Sequence, residues 1–304
     1  MRIVITGGAG FIGSNLAEVL SKDNANEVIV LDDLSTGKLA NTNEMAIKFV
    51  NGSITDLELL QTIFKDVDYV LHQAAIPSVP RSINEPIASN NANINGTLNV
   101  LVAARDRNVK KVIYASSSSV YGDTPELPKR EDMTPTPLSP YAVTKLTGEH
   151  YCNVFNEVYG LKTVALRYFN VYGPKQDPYS DYAAVIPKFV SRVRRDEPPL
   201  IYGDGQQTRD FTFVKDVVTA NIRAMKSDAT GVFNIASGNR ITIQELAELV
   251  MKLMAKDLGV IFEEPRTGDV LHSLADVSKA KAGFGYEPGY RLETGLEETV
   301  KWFS

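Results

Sequence analysis

Apolar positions fall in short β-branched runs separated by longer stretches with helical spacing. Arg2–Thr6, 28–31, 67–72, 112–115, 163–167 and Gly231–Ile235 read as buried strands, since each is apolar on consecutive rather than alternate positions. Helical spacing follows through Leu20, over 57–64, around 93–108, from Ser139 to a stop at Gly160, and over 183–195, 214–225, 243–258 and 292–303. Strands that alternate with helices predict an α/β fold, a doubly wound parallel Rossmann sheet. After position 168 the alternation loosens. Residues 169–180 are rich in Gly, Pro, Tyr and Asn and read as a functional loop, 198–213 as short strands and turns, and 265–276 as loop and strand. The expected division is a dinucleotide-binding domain, 1–169, to which 211–236 returns. A smaller, interleaved C-terminal α/β substrate domain is built from 170–210 and 237–304. No internal repeat or low-complexity tract interrupts the chain.

Composition narrows the class. With 304 residues, 43% hydrophobic and 23% charged, the chain can bury a large core. A net charge of -5 gives no basic footprint, so nucleic acid is not an expected partner. Cys152 is the one cysteine, and His72, His150 and His272 show no paired spacing, so neither a disulfide nor a metal site is expected. No apolar run reaches the length of a membrane span, and the N-terminus enters a strand at once. The expectation is a cytoplasmic protein without a membrane anchor.

Two motifs carry chemistry. Gly8-x-Gly10-x-x-Gly13, with Gly7 before it, directly follows a strand and opens a helix. Glycines let the backbone approach a pyrophosphate, and the helix N-terminus offers N–H groups and positive dipole to it. Asp32 ends the second strand, where a carboxylate can accept both ribose hydroxyls and repel a 2′-phosphate. No arginine follows it closely, so NAD is expected rather than NADP. The second motif is Tyr141-x-x-x-Lys145, behind the N-cap Ser139 and Pro140 at the first helical position. Residues four apart share a helix face, so phenol and ammonium can enter one site. The cation is expected to draw the tyrosine pKa down from about 10.

These two motifs, with Ser116-Ser117 at a strand end, resemble the extended short-chain dehydrogenase/reductase family. Within it the chain is most similar to the UDP-hexose 4-epimerases. Further matches are Leu166 through Pro174, Gly203-Asp204-Gly205-x-Gln207-x-Arg209-Asp210-Phe211 and Pro265-Arg266-x-Gly268-Asp269, so the likeness runs from Met1 to about Asp276. The resemblance implies that Tyr141 is the catalytic base at the sugar 4-hydroxyl while the C4 hydride passes to NAD. Lys145 holds the nicotinamide ribose, and Ser117 bonds the reacting oxygen. It implies a cofactor site of Gly7, Gly10, Phe11, Ile12 and Gly13, with Asp32, Asp33, Thr36 and Gly37 toward the ribose. Gln73, Ala74, Ala75, Asn93 and Tyr168 complete it. Family members usually place an Asp after the glycine of the third strand. Here the stretch is Gly52-Ser53-Ile54, so Ser53 or a backbone carbonyl serves the adenine instead. For the substrate it implies Asn170, Arg209 and Arg266 on the diphosphate, Asp269 on the nucleotide ribose, and Val185 and Tyr202 in the nucleotide pocket. It also implies a homodimer through the helices near 98–107 and 141–159.

Departures from the family patterns narrow the reaction. Related dehydratases carry an Asp-Glu pair, and decarboxylases a Glu, where this chain has Ser118-Ser119. Hydroxyls cannot take that acid/base role near neutral pH. Oxidation at C4 and return of hydride to the other face of a transient 4-keto sugar fits what remains. Epimerases restricted to plain sugars carry a tyrosine four residues after the Asp of Arg-x-x-Asp; here it is Ser273, which leaves room for an N-acetyl group. Residues 73–82 also resemble the N-acetylhexosamine-using branch. UDP-GlcNAc/UDP-GalNAc are therefore expected substrates, with UDP-Glc/UDP-Gal. The alternatives are a UDP-glucuronate 4-epimerase, whose carboxylate Arg81 would meet, and a nucleotide-sugar dehydratase or reductase. A non-enzymatic sensor of this fold would lose the Tyr or the Lys.

Overall fold

The computed structural model describes residues 1–178, 184–265 and 271–303. The first half runs β1 (Arg2–Thr6), α1 (Phe11–Ser21), β2 (Glu27–Asp32), β3 (Ile47–Asn51), α2 (Leu57–Ile63), β4 (Tyr69–His72), α3 (Val79–Asn84), α4 (Pro86–Asn90), α5 (Gly96–Asp106), β5 (Lys111–Ser117), α6 (Pro140–Tyr159) and β6 (Lys162–Tyr168). The second half runs β7 (Val171–Tyr172), α7 (Val185–Arg194), β8 (Leu200–Tyr202), β9 (Thr208–Arg209), β10 (Thr212–Phe213), α8 (Val214–Lys226), β11 (Gly231–Ile235), β12 (Ile241–Thr242), α9 (Ile243–Leu253), β13 (Ile261–Glu263), α10 (Ser278–Phe284) and α11 (Leu292–Phe303).

Seven strands form one parallel sheet in the order β3-β2-β1-β4-β5-β6-β11. The chain winds outward in both directions from β1 and β4, so a crevice opens at the carboxyl ends of those two strands. Both faces are covered, which is why the strands read as unbroken apolar runs. Ile3, Ile5, Val28 and Val30 pack with Leu16 and Val217, from α1 and α8. Val4, Ile29, Val70 and Val112 pack with Leu60, Val100 and Phe155, from α2, α5 and α6. A third core joins α7, α9 and α11 through Phe189, Val190, Leu246, Val250 and Leu296. Three two-stranded sheets, β7 with β10, β9 with β12 and β8 with β13, lie outside the main one.

Several elements depart from the expectation. β3 is an edge strand whose residues are half-buried or exposed, so its apolar signal is diluted by Lys48 and Asn51. The stretch 73–82, read as loop, is helical from Val79. Pro80 in α3 and Pro86, which opens α4, occupy first-turn helix positions where a missing N–H costs nothing. Helix α9 stops at Leu253 rather than 258, and Ala255 takes a left-handed φ of 52°. The short helix α10 was not legible in the apolar pattern. The start of the helix expected over 183–195, and part of the expected stretch 265–276, lie outside the described residues.

Candidate active site

Helix α6 is built as its sequence dictates. Ser139 Oγ accepts from Ala142 N at 3.2 Å, Pro140 opens the helix, and Gly160 closes it at φ 70°. One turn in, Tyr141 N donates to Ser82 Oγ of α3 at 3.0 Å, which fixes where the phenol starts. Ser117 lies close enough to the tyrosine hydroxyl to lower its pKa, and Ser117 Oγ accepts from Ser119 Oγ at 2.9 Å. Lys145 is buried and donates to Ala115 O at 2.8 Å. Its Nζ lies 5.8 Å from the centre of the Tyr141 ring. The three expected catalytic residues therefore meet at the carboxyl ends of β5 and β6, where Ser117 is in register with Tyr168.

The electrostatics differ from the expectation. Burial pushes the Tyr141 phenol above its ordinary pKa, and the bond to Ser117 pulls it back; Lys145 does not draw it toward neutrality. The lysine is itself desolvated: burial brings it down to about 8, with Cys152 and Glu149 acting the other way, and one of its N–H groups donates to the Ala115 carbonyl. At neutral pH it still carries its charge.

Beneath these residues runs a buried network that the sequence reading did not single out. Glu149, one turn after Lys145, accepts from Ser116 Oγ. It also forms a two-pronged pair with Arg167, at 2.9 and 2.7 Å, with both side chains 4% exposed. The Arg167 guanidinium stacks 4.6 Å from the centre of the Tyr121 ring. The available signal was an acid on the apolar face of α6 at i+4 from Lys145.

The glycine loop forms as expected. Gly7 has φ 67°, and a Cβ there would lie 2.6 Å from Ala74 N; a Cβ on Gly13 would lie 2.1 Å from Gly7 O. Helix α1 starts at Phe11 without a side-chain cap or an acidic residue in its first turn, a fit for an anion. Asp32 is buried, accepts from Ala9 N at 2.9 Å and Leu34 N at 2.8 Å, and borders Gly37 so closely that a Cβ would strike its carboxylate at 2.7 Å. Asp33 accepts from Ser35 N. Ser53 bonds Thr55, and Ile54 is buried against Gly96. At the end of β4, Gln73 shares a cluster with Tyr168 and Asn221, and Ala74 N donates to Thr6 Oγ1. Asn93, expected to line the nicotinamide side, spends its amide internally. It accepts from Ile76 N at 2.8 Å and donates to Thr144 Oγ1 at 3.0 Å, tying the 73–78 loop to α6.

On the other side of the crevice Asn170 Nδ2 donates to Ser273 Oγ at 3.1 Å. Arg209 donates to Leu271 O at 3.1 Å. Val185 opens α7, and Tyr202 ends β8 beside a cavity of about 240 Å³ that Lys188 and Phe189 also line. Arg266 and Asp269 lie outside the described residues. A cavity of about 540 Å³ lies elsewhere, at the amino ends of β4, β5 and β6. Among the described residues no group of three or more His, Cys, Asp or Glu could hold a metal. No helix among them is long and apolar enough to cross a membrane.

A dinucleotide cradle at the switch of a doubly wound sheet, with a Tyr–Ser–Lys set at the neighbouring strand ends, defines a short-chain dehydrogenase/reductase type of enzyme. A family model described as the NAD dependent epimerase/dehydratase family matches residues 3–236. The chain superimposes with a TM-score of 0.96 on UDP-N-acetylglucosamine 4-epimerase from Methanobrevibacter ruminantium M1, in complex with UDP-N-acetylmuramic acid. The two are 45% identical over 99% of this chain and 97% of that one. It matches UDP-glucose 4-epimerase from Thermotoga maritima, with UDP-glucose, equally well: 42% identity, TM-score 0.96, 100% and 98% covered. It is also 36% identical to UDP-glucuronate 4-epimerase of Thermodesulfobacterium geofontis, over 98% of this chain and 95% of the relative. The chain belongs to the NAD-dependent epimerase/dehydratase family. It is an isomerase, a UDP-sugar 4-epimerase that works with NAD.

Proposed function

We propose that the protein interconverts UDP-GlcNAc with UDP-GalNAc and UDP-Glc with UDP-Gal. The observation that carries the N-acetyl part is Ser273. It is buried and bonded to Asn170, and a serine side chain takes far less room than the tyrosine of plain-sugar epimerases. A Ser273→Tyr variant is expected to lose turnover of the N-acetylated pair while keeping that of UDP-Gal. Equal loss on both would remove the size argument.

In this reading Gly7, Gly10 and Gly13, the start of α1 at Phe11–Ile12, and Asp32–Asp33 with Thr36–Gly37 hold NAD, together with Ser53–Ile54, Gln73–Ala75 and Tyr168. Asn93 acts by fixing the loop before α3. Bound NAD supplies the hydride acceptor and donor at C4. Tyr141 takes the proton of the 4-hydroxyl and returns it. Ser117, beside the phenol, holds the same oxygen, and Lys145 keeps a positive charge near both. Asn170, Arg209, Val185 and Tyr202, with Arg266 and Asp269, hold the nucleotide and diphosphate. Arginine suits this because its planar fork bonds two phosphate oxygens.

UDP-glucuronate finds less support. Its carboxylate would need a cation, and Arg81 already bonds Glu85 at 3.1 Å. We take the substrate domain to be 170–210 with 237–304, and the active form to be a homodimer. Val143, Val154, Val158 and Tyr159 are all 45% or more exposed on α6, an unusual apolar load for an outer helix face. A monomer in sedimentation equilibrium at micromolar concentration would remove the dimer.

A further inference from the structure

Asp210 follows the proposed phosphate-binding Arg209 and is completely buried. Oδ1 accepts from Ser237 N at 2.9 Å and Ser237 Oγ at 2.7 Å. Oδ2 accepts from Gly238 N at 3.1 Å and Ala275 N at 3.2 Å. Its main chain is engaged too. The N–H donates to Ser273 Oγ at 3.3 Å, and the carbonyl accepts from Asn170 Nδ2 at 2.9 Å. Four separate segments therefore converge on one residue: the turn after β6, the end of β9, the turn after β11 and the 271–275 stretch. Three of them carry the proposed substrate contacts Asn170, Arg209 and Ser273. The fourth leaves β11, the last strand of the main sheet.

We propose that Asp210 is a positioning residue for substrate binding, a clasp that holds Arg209, Asn170 and Ser273 in one geometry against the end of the main sheet. This rests on the reading that those three residues bind the nucleotide diphosphate and the sugar. The carboxylate is suited to the task because it has two acceptor oxygens and four donors aimed at them. No other side chain of that size fits. In Asp210→Asn, either orientation of the amide turns an NH₂ group toward a backbone N–H, at Ser237 on one side or at Gly238 and Ala275 on the other.

The test is titration of UDP into the NAD-loaded protein, together with steady-state kinetics on UDP-Gal. Asp210→Asn is expected to weaken UDP binding about tenfold and raise KM by a similar factor, with kcat changed less than about threefold. Ser237→Ala removes one of the four donors and is expected to shift both in the same direction by less, and it carries the test if Asp210→Asn does not fold. Arg209→Gln is the control for the underlying reading. If Arg209→Gln weakens UDP binding while Asp210→Asn and Ser237→Ala leave it unchanged, the clasp is wrong and the substrate site stands. If Arg209→Gln also leaves it unchanged, the substrate reading fails and the clasp with it. A fall in kcat at constant KM in Asp210→Asn would also overturn the proposal, since it would place the effect on the chemistry instead.

Discussion

At the scale of single residues, the proposed mechanism rests on a phenol that the fold makes harder to ionise. Burial raises Tyr141, and the hydroxyl of Ser117 is the group that opposes it. Tyr141→Phe keeps the ring and removes the proposed proton carrier. Epimerisation is expected to fall by about 10²–10⁴-fold, the usual worth of a placed acid/base, with NAD binding retained. A variant with full activity would mean that another group moves the proton. That Tyr141, Lys145 and Ser117 come together was legible because the spacing and the cap residues lie within seven positions of sequence or at a strand end. Their electrostatic state was not. The expectation weighed one charge and its neighbour, whereas burial of each residue dominates its own shift.

At the scale of elements, α6 joins chemistry to packing. Its outer turn carries Tyr141, and its inner face carries Glu149, whose charge is neutralised by Arg167 on β6. Removing one partner of such a buried pair leaves an uncompensated charge, which typically costs about 3–5 kcal/mol. Glu149→Ala is therefore expected to lower the denaturant midpoint strongly. Glu149→Ala combined with Arg167→Met should recover part of the loss, and additive losses would contradict the coupling. Strands β1, β2, β4, β5 and β6 were readable because burial on both faces leaves unbroken apolar runs. β3 was not, because an edge strand needs only one half-covered face. Helices α3 and α4 were hidden by prolines that the sequence presents as breakers and the structure places at helix starts. Ser82 on α3, which receives the Tyr141 N–H, was hidden with them.

At the scale of the whole molecule, the NAD half was visible as a local word, Gly8 to Gly13, followed at a set distance by Asp32. The proposed substrate half could be read only through resemblance, because Asn170, Arg209 and Ser273 are joined by tertiary contacts and share no local period. Asp210 shows the same limit: its four donors come from positions 27, 28 and 65 residues away. A ligand that binds only the folded state stabilises it, by about 2.7 kcal/mol at a hundredfold excess over Kd. NAD is accordingly expected to raise the melting temperature of the protein stripped of cofactor, and Asp32→Asn to blunt that rise. An equal rise in both would take Asp32 out of the cofactor site. The most direct measurement remains the reaction itself. Purified protein with a trace of NAD is incubated separately with UDP-GlcNAc and UDP-Gal, and the C4 configuration is followed by proton NMR. The account predicts inversion at C4 of both substrates, to equilibrium, with no loss of water and no net consumption of reduced cofactor. A 4-keto-6-deoxy product, stoichiometric use of NADH, or no inversion of either sugar by folded, NAD-saturated protein would contradict it.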